Sequence, residues 1–267
     1  MLKKIILSNI FIYPIKSLSG ISLQSSQITG KGLKYDRRWM LVDENNKYIT
    51  QRTFPEMSLL NVEVTGKGLL VFHKLKPEDS ILIPFQQSGN TITVKVWSDE
   101  CKAKEASNEI NEWFSEKLKI KCKLVFMPDD TERIVDKKYV KEKKLTSFSD
   151  GYPFLIIGQS SLDLLNTKLE TPVSINRFRP NFVFTGGEPH VEDTWGNFKI
   201  GSSYFQVVKP CARCVITTVN QESGIKGKEP LATLSKYRSV NNKVLFGQNL
   251  ICKEGNFVKV GDTLEVM

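Results

Sequence analysis

Short apolar stretches rich in β-branched and aromatic residues dominate the first hundred residues, and Gly, Asn or Pro separates one stretch from the next. Such side chains fit a pleated, half-buried surface, so the pattern predicts β-strands. The predicted strands span residues 5–13, 39–43, 59–64, 69–72 and 92–96. Polar residues interrupt the first apolar run from position 8 onward, so we interpret it as a strand and not as a signal peptide.

The segment 107–119 changes to helical spacing. Its large apolar side chains, Ile110, Trp113, Phe114 and Leu118, fall on one face of a helix. Ser107 stands where a side-chain oxygen can accept a hydrogen bond from the first turn. The segment therefore predicts a capped helix whose aromatic residues lie in a core.

The second half of the chain returns to strand patterns. A buried strand is predicted at 154–157, and Ser160 with Asp163 forms a capping-box pattern that opens a short helix ending at Lys168. A second short helix is predicted near Pro230. The remaining predicted strands are 181–185, 203–208, 215–219 and 258–266.

A basic stretch separates the two halves. Residues 133–144 contain six Lys or Arg residues but only two acidic residues, Asp136 and Glu142, and they show no apolar periodicity. We interpret this stretch as a solvated connection between two domains, with a boundary near either 128 or 145. The predicted division is a first domain at 1–127, a connecting segment at 128–145 and a second domain at 146–267.

Composition limits the class of protein. The 267 residues are 40% hydrophobic, which is enough for one large or two ordinary globular domains. An excess of 38 Lys and Arg over 29 Asp and Glu favours anionic ligands without identifying them. No apolar run reaches the roughly 18 residues of a membrane span. The five cysteines are an odd number in a chain of this size, which favours a reducing compartment and, by default, the cytoplasm.

The pair Cys211 and Cys214 forms a Cys-x-x-Cys motif with Arg213 inside it. A structural zinc site needs a second pair of ligands, and the chain has no second Cys-x-x-Cys. A redox dithiol needs a helix N-terminus, whereas the β-branched run 215–219 predicts a strand. The redox dithiol stays open but is poorly supported, and two hypotheses are favoured over it: one thiolate that binds a transition metal, or two inert buried cysteines.

Three other segments carry groups that can hold an anion. Lys16 and Ser17 follow a proline at the end of a predicted strand, Arg37 and Arg38 open another strand, and Arg179 lies in a proline turn. An arginine guanidinium can donate two parallel hydrogen bonds to a phosphate, and the backbone of a turn supplies further N–H donors. One of the adjacent arginines is expected at the surface or in a salt bridge. Nucleic acid is the least favoured partner, because only Tyr139 interrupts the basic stretch with an aromatic ring.

Together, these segments resemble the MOSC family of molybdenum-cofactor proteins, in which a MOSC N-terminal β-barrel domain precedes the MOSC domain proper. The resemblance covers essentially the whole chain and rests on the order of the segments 13–17, 36–39, 149–153, 179–181, 192–195, 211–214 and 246–249. It implies a mostly β fold with short helices (α+β), a β-barrel-like first domain and a MOSC β-barrel second domain. Within the family, the chain is similar to the mitochondrial amidoxime-reducing components and their bacterial counterparts, which reduce N-hydroxylated compounds.

The resemblance also implies a site. Cys214 is expected to be the catalytic residue and the thiolate ligand of molybdenum in a Mo-molybdopterin cofactor, with Cys211 in a structural or supporting role. The residues expected to bind the cofactor are Lys16, Ser17, Arg37, Asp150, Gly151, Tyr152, Arg179, Ala212, Arg213 and Asn249. These residue types suit a pterin that carries a phosphate, because they offer positive charge, backbone donors and polar side chains.

The implied activity is a molybdenum-dependent oxidoreductase that removes oxygen from small N-hydroxylated or other N-oxygenated molecules and releases it as water. The alternative is a non-catalytic protein that binds or carries the cofactor or its sulfur. Some bacterial relatives add an iron–sulfur domain, and no such cysteine run follows here, so a separate ferredoxin- or flavodoxin-like electron donor is expected. The net charge of +9 suits an acidic donor. Pyridoxal phosphate binding is a further association of the family.

Overall fold

The structure is a computed structural model that describes residues 4–267. β-Strands dominate it, as predicted, and its elements follow in chain order. The first half contains β1 (Ile6–Ile12), β2 (Ile21–Leu23), β3 (Ser25–Thr29), β4 (Gly32–Leu33), β5 (Trp39–Val42), β6 (Leu60–Val64), β7 (Gly68–His73), β8 (Lys76–Pro84), β9 (Thr91–Val96), β10 (Asp99–Glu105), α1 (Asn108–Leu118) and β11 (Lys123–Phe126). The second half contains β12 (Phe154–Gly158), α2 (Gln159–Asn166), β13 (Phe182–Thr185), β14 (Asn197–Ile200), β15 (Ser203–Arg213), α3 (Leu231–Ser235), β16 (Ser239–Val240), β17 (Lys243–Glu254), β18 (Phe257–Lys259) and β19 (Leu264–Val266). Short 3₁₀ helices lie at Pro55–Leu59, Ile175–Arg177, Val191–Thr194 and Val215–Thr218.

The largest sheet joins both ends of the chain. Its strand order is β19-β14-β15-β17-β12-β13-β1-β2, with β16 paired to β17. Strand β1 runs antiparallel to β13, and Ile10 faces Phe182. The end of β1 therefore lies beside the start of β13, which brings the segment after Tyr13 next to the turn that holds Arg179.

Three smaller sheets complete the fold, with strand orders β5-β11-β10-β9, β18-β3-β4 and β6-β7-β8. One buried cluster packs Trp39 and Phe114 against aliphatic side chains of β6 and β7. A second cluster packs Phe154, Phe182 and Phe205 inside the large sheet. The first core lies within the first half of the chain, whereas the second combines residues of the second half with Leu7, Ile10, Ile12 and Leu33 of the first.

The predicted helix α1 is confirmed. The Ser107 side chain accepts a hydrogen bond from the Ile110 N–H, and Ile110, Phe114 and Leu118 are buried. Trp113 lies at the edge of the core and donates its indole N–H to Asp79 at 3.0 Å. Within residues 4–267, no helix combines the length and the apolarity that a bilayer crossing requires.

The capping box predicted at Ser160 and Asp163 is wrong. The N-cap of α2 is Gly158 and no side chain caps it locally, because β12 runs directly into the helix. A distant carboxylate acts instead: Glu192 accepts hydrogen bonds from the Gly158 N–H at 3.1 Å and from the Ser161 hydroxyl at 3.1 Å. The helix ends at Asn166, before the predicted Lys168.

The strand predicted at 215–219 is also wrong, because Val215–Thr218 forms a 3₁₀ helix. The hydroxyls of Thr217 and Thr218 donate to the carbonyls of Cys214 and Val215 at 3.0 and 2.8 Å, which closes the turn against its β-branched propensity. The preceding strand β15 runs on to Arg213, beyond its predicted end at residue 208. The single strand predicted at 258–266 is two strands, β18 and β19, with Gly261 at φ +94° between them.

Candidate functional site

A cavity lies where the end of β1 and the turn before β5 meet the turn before β13 and the end of β15. All the residues expected to bind a cofactor line this cavity, except Ala212. The lining members of that set are Lys16, Ser17, Arg37, Asp150, Gly151, Tyr152, Arg179, Arg213 and Asn249. The pairing of β1 with β13 explains how segments about 160 residues apart in sequence meet here, because it aligns the ends of those two strands.

The Cys-x-x-Cys motif is asymmetric in the fold. Side chains alternate along β15, so Cys211 and Arg213 line the cavity while Ala212 is exposed on the other face. Cys214 follows the strand as the first residue of the next turn and does not line the cavity directly. Its sulfur accepts a hydrogen bond from the Nε of Arg52 at 3.4 Å. Burial raises the pKa of the Cys211 thiol, although Arg213 acts in the opposite direction.

Arg52 is a site residue that the sequence did not indicate. It lies in the turn after β5, lines the cavity, and donates to the Asp150 carboxylate at 3.2 Å as well as to Cys214. Its guanidinium stacks 4.6 Å from the ring centroid of Trp97. The only local signal is an arginine in a short polar turn, which is a common surface pattern. Thr50, Ser149 and Asn181 also line the cavity and were not predicted.

Positive charge dominates the cavity wall. Asp150 is the single acidic residue among the lining side chains. The basic residues on the wall are Lys16, Arg37, Arg52, Arg179 and Arg213. Arg38, adjacent to Arg37, lies outside this cavity and forms an ion pair with Asp129 at 2.7 Å, which confirms the expectation for one of the two arginines. A wall of this composition concentrates anions.

Two buried guanidinium nitrogens on this wall lack hydrogen-bond partners among residues 4–267: the Nη2 atoms of Arg179 and Arg213. The Nη1 atoms of both side chains are held, because Arg179 Nη1 donates to the Leu18 carbonyl at 2.6 Å and Arg213 Nη1 donates to the Phe178 carbonyl at 3.0 Å. Buried donors in proteins are nearly always paired. An anionic ligand in the cavity would supply the missing acceptors.

Tyr13 packs against two arginines of the cavity wall, Arg37 and Arg179. The guanidinium carbons of Arg37 and Arg179 lie 4.4 and 4.1 Å from its ring centroid. The Tyr13 hydroxyl donates to the Pro180 carbonyl at 3.1 Å, and burial raises its pKa to about 12, so the phenol stays neutral. Asp36 accepts from the Tyr13 N–H at 2.8 Å and from Arg37 Nη1 at 2.7 Å. The aromatic ring and this carboxylate orient the cations before any ligand arrives.

Three lining residues adopt left-handed backbone conformations that are rare for side chains with a Cβ: Ser17 at φ 69°, Arg37 at φ 49° and Arg179 at φ 54°. Each such residue costs about 1–3 kcal/mol and persists only where the surrounding structure enforces it. Strain of this kind is concentrated at functional sites in proteins. Its occurrence in three separate segments around one cavity supports a function for the cavity.

Lys16 and Asp150 form a partly buried ion pair on the wall. The Lys16 ammonium donates to the Phe148 carbonyl at 2.7 Å and to the Asp150 carboxylate at 2.5 Å. Burial lowers the pKa of Lys16 to about 8, although Asp150 acts in the opposite direction. Burial would raise the pKa of Asp150, but Lys16 and Arg52 outweigh it and hold that pKa below its usual range. Asp150 therefore stays ionised while Lys16 loses its charge just above neutral pH.

This pKa predicts pH-dependent anion binding. We expect sulfate, which keeps its charge in this range, to bind the ligand-free protein roughly ten-fold more weakly at about pH 9 than at about pH 7, because Lys16 is charged below its pKa and neutral above it. Isothermal titration calorimetry measures the affinity. The Lys16→Met protein should bind sulfate weakly at both pH values; an equal pH response in this variant would contradict the assignment to Lys16.

The cavity has a volume of about 110 Å³. Pockets that hold a complete small molecule are usually larger, about 300–1,000 Å³. This volume therefore suits part of a pterin cofactor, such as its phosphate, and not the whole molecule. In charge and donor chemistry, the lining residues fit a group with an anionic phosphate.

The fold and the cavity define a mostly β protein with a cationic cavity where strands from both halves of the chain meet. The chain belongs to the MOSC family: residues 4–121 match the MOSC N-terminal beta barrel domain and residues 143–265 match the MOSC domain. The family resemblance inferred from the sequence is therefore confirmed, together with the mostly β fold class. The division at 127 and 145 stays a prediction.

Similar proteins carry names from molybdenum chemistry. Mitochondrial amidoxime-reducing component 1 of Xenopus laevis is 30% identical over 276 residues, which cover 96% of this chain and 80% of that protein. Molybdenum cofactor sulfurase of Oryza sativa subsp. japonica is 32% identical over 265 residues, which cover 90% of this chain and 32% of that protein. The sulfurase of Arabidopsis thaliana is 33% identical, with the same two coverages. The chain thus spans most of the amidoxime-reducing component but only about a third of the sulfurases.

Proposed function

We propose that the protein is a molybdenum-cofactor-dependent oxidoreductase that reduces small N-hydroxylated or other N-oxygenated molecules. One arrangement carries the proposal: the Nη2 atoms of Arg179 and Arg213 on the cavity wall have no partner among residues 4–267, and the Cys214 thiol lies beside the cavity, hydrogen-bonded to the lining residue Arg52. When bound, the cofactor supplies a redox-active metal that accepts oxygen from the substrate. The similarity to amidoxime-reducing components supports the choice of substrate class.

Residues from both halves of the chain would bind the cofactor. Lys16 and Arg37 hold anionic oxygens from the first half of the chain, and Arg179 and Arg213 hold them from the second half. Gly151 leaves open space where a Cβ would stand, so a ligand can approach its backbone closely.

Cys214 is the proposed metal ligand. The guanidinium of Arg52 donates a hydrogen bond to its sulfur, so this sulfur lies beside a positive charge next to the cavity. Cys211 lies in an environment that favours the neutral thiol, because burial raises its pKa. We propose that Cys211 packs the cavity wall and does not bind the metal.

A non-catalytic carrier of the cofactor is the alternative, and the similarity to molybdenum cofactor sulfurases supports it. Such a carrier would use the same cavity and the same thiol. The two functions differ in turnover and not in cofactor content, so an activity measurement separates them.

The test is turnover of benzamidoxime by protein purified from cells that synthesise molybdopterin, with a reduced viologen dye as electron donor. We expect benzamidine to form, and no product from protein made in cells that lack the cofactor. Loaded protein that forms no product from benzamidoxime or other N-oxygenated substrates would contradict the oxidoreductase and leave the carrier.

All five cysteines are free thiols. This supports the predicted reducing compartment, and we propose a cytoplasmic location. A separate ferredoxin- or flavodoxin-like protein would supply the electrons, and the basic stretch 133–144 is the proposed docking surface for it.

The position of this basic stretch supports a role in docking. The buried Arg133 anchors it by donating to the carbonyls of Ser147 and Ser149 at 2.8 and 2.6 Å, next to the cavity loop. Lys209 bridges Tyr139 of the stretch and the cavity residue Tyr152, with its ammonium 4.3 and 5.2 Å from the two ring centroids. The lysines 137, 138, 141 and 143 are exposed. Positive charge therefore lies close to the site that must be reduced.

This location predicts salt-dependent reduction. We expect the KM for an acidic flavodoxin to rise roughly ten-fold when ionic strength increases from about 0.05 to about 0.3 M, because salt screens the attraction between surface charges. The double variant Lys137→Glu/Lys138→Glu should raise this KM at low salt, with the viologen-driven rate unchanged. Lys67→Glu, in the β6–β7 turn, is the control for charge reversal at an exposed lysine outside this stretch. A rate independent of salt would argue against electrostatic docking.

A further inference from the structure

A second cavity, of about 510 Å³, lies between the β3–β4 hairpin, the end of β8 and the ends of β10 and β11. We call it the aromatic cleft. It shares no lining residue with the candidate cofactor site. The two cavities are distinct even at adjacent residues: Arg37 lines the candidate cofactor site and Arg38 lines the aromatic cleft. Its volume is within the range of small-molecule pockets.

Four aromatic side chains line the aromatic cleft: Tyr35, Trp39, Phe85 and Phe126. Tyr35 and Phe85 stack with ring centroids 4.8 Å apart and planes at 6°. Trp39 packs against Phe126 at 4.9 Å and lies 6.5 Å from Phe85. These rings, of which one pair is stacked face to face and the others are tilted by 43–48°, form an apolar wall against which an aromatic ligand can pack.

The wall also contains a donor without an acceptor. Trp39 is only 1% exposed, and its buried indole N–H has no hydrogen-bond partner among residues 4–267. The tryptophans at 97 and 113, by contrast, donate to Asp150 and Asp79. A buried tryptophan N–H usually finds a partner. A hydrogen-bond acceptor on a molecule in the cleft would provide one for Trp39.

Charge selects the ligand further. Lys34, Arg38 and Lys104 line the aromatic cleft, whereas Asp129 is its single acidic lining residue and is already paired with Arg38 at 2.7 Å. The Lys34 ammonium lies 5.3 Å from the Tyr35 ring centroid. Cations at the edge of an apolar wall favour a ligand that is anionic at one end and aromatic at the other.

We propose that the aromatic cleft is a second small-molecule site, and that it binds a planar aromatic compound bearing a carboxylate, sulfonate or phosphate group. The ring lies against the aromatic wall, an acceptor reaches the Trp39 N–H, and the anionic group faces Lys34 and Lys104. This site is independent of the molybdenum cofactor and of the proposed reductase activity.

The test uses naphthalene-1-sulfonate as the probe and the uncharged naphthalene-1-sulfonamide as its matched control. The chain has four tryptophans, so an ¹⁵N–¹H spectrum gives up to four indole signals, and the Trp39→Phe protein identifies the signal of Trp39. We expect the sulfonate to shift the Trp39 signal and leave Trp113 unchanged. The sulfonamide should bind roughly ten-fold more weakly, since it lacks the charge-assisted contact.

Charge variants provide a second readout. The Lys34→Ala/Lys104→Ala protein should lose most of the preference for the sulfonate over the sulfonamide, whereas Lys67→Ala should keep it. A Trp97 signal that moves in place of Trp39 would assign the probe to the cofactor cavity and overturn the proposal. Absence of binding at millimolar probe, or displacement of the probe by a short single-stranded oligonucleotide, would also overturn it.

Discussion

Replacing Cys214 by alanine should remove nearly all molybdenum from the protein, whereas Cys211→Ala should leave most of it in place. The physical reason is the different setting of the two thiols. Arg52 donates a hydrogen bond to the Cys214 sulfur at 3.4 Å and so places a positive charge beside it. Burial raises the pKa of Cys211 and favours its thiol. Since supporting residues around a metal alter its affinity by about 10–100-fold, loss of the ligand itself should lower metal content by roughly 100-fold or more.

The measurement is the ratio of molybdenum to protein, by elemental analysis, in the wild type and both variants produced in cells that synthesise molybdopterin. The pterin content of the same samples shows whether the cofactor still binds without its metal bond. Equal molybdenum in all three proteins would refute the assignment of Cys214. Loss from the Cys211 variant alone would transfer the ligand role to Cys211, which does line the cavity.

The second large effect is expected at Arg179. Its Nη2 is a buried donor without a partner in the described chain, on a wall that has four other cationic side chains. A charge-assisted hydrogen bond contributes about 1.5–3 kcal/mol, and 1.4 kcal/mol corresponds to a factor of ten in affinity. The Arg179→Gln protein should therefore retain roughly 10–100-fold less cofactor, measured as the fluorescence of the oxidised pterin that denatured protein releases.

Arg177→Gln is the matched control for this experiment. Arg177 lies two residues earlier and donates to the carbonyls of Thr217 and Glu229 at 2.8 and 3.0 Å, but it does not line the cavity. We expect this variant to keep its cofactor. If both variants lost cofactor equally, the loss would reflect disturbance of the turn before β13, and the role proposed for Arg179 would be wrong.

Local sequence patterns predicted the elements that local interactions stabilise. Helix α1 follows from its apolar face and from Ser107, whose hydroxyl acts within one turn. The predictions were wrong where a distant group or a competing hydrogen bond determined the backbone conformation. Glu192 caps the strand-to-helix junction at Gly158 from another segment, and two threonine hydroxyls close the turn after Cys214 where β-branched residues indicated a strand.

The candidate site was predictable to the extent that its residues stand in recognisable motifs. Lys16, Arg37, Arg179 and Arg213 lie together in the cavity as the family resemblance implied, although their cofactor roles stay proposals. Arg52 could not be predicted, because its contacts with Cys214 and Asp150 join positions about 160 and 100 residues apart. Ala212 lies outside the cavity because alternation along β15 exposes it.

The sequence by itself determined the family, the mostly β character and the set of cationic residues with a thiol motif, since each depends on residue type and on short-range order. Only the tertiary structure decided that Cys211 lines the cavity while Cys214 lies beside it, and that Arg52 donates a hydrogen bond to Cys214. It also decided that the Nη2 atoms of Arg179 and Arg213 are buried without a partner among residues 4–267. These properties arise from the pairing of β1 with β13 and of β15 with β17, which joins distant segments. Burial and the absence of a partner are properties of that packing, and no local pattern encodes them.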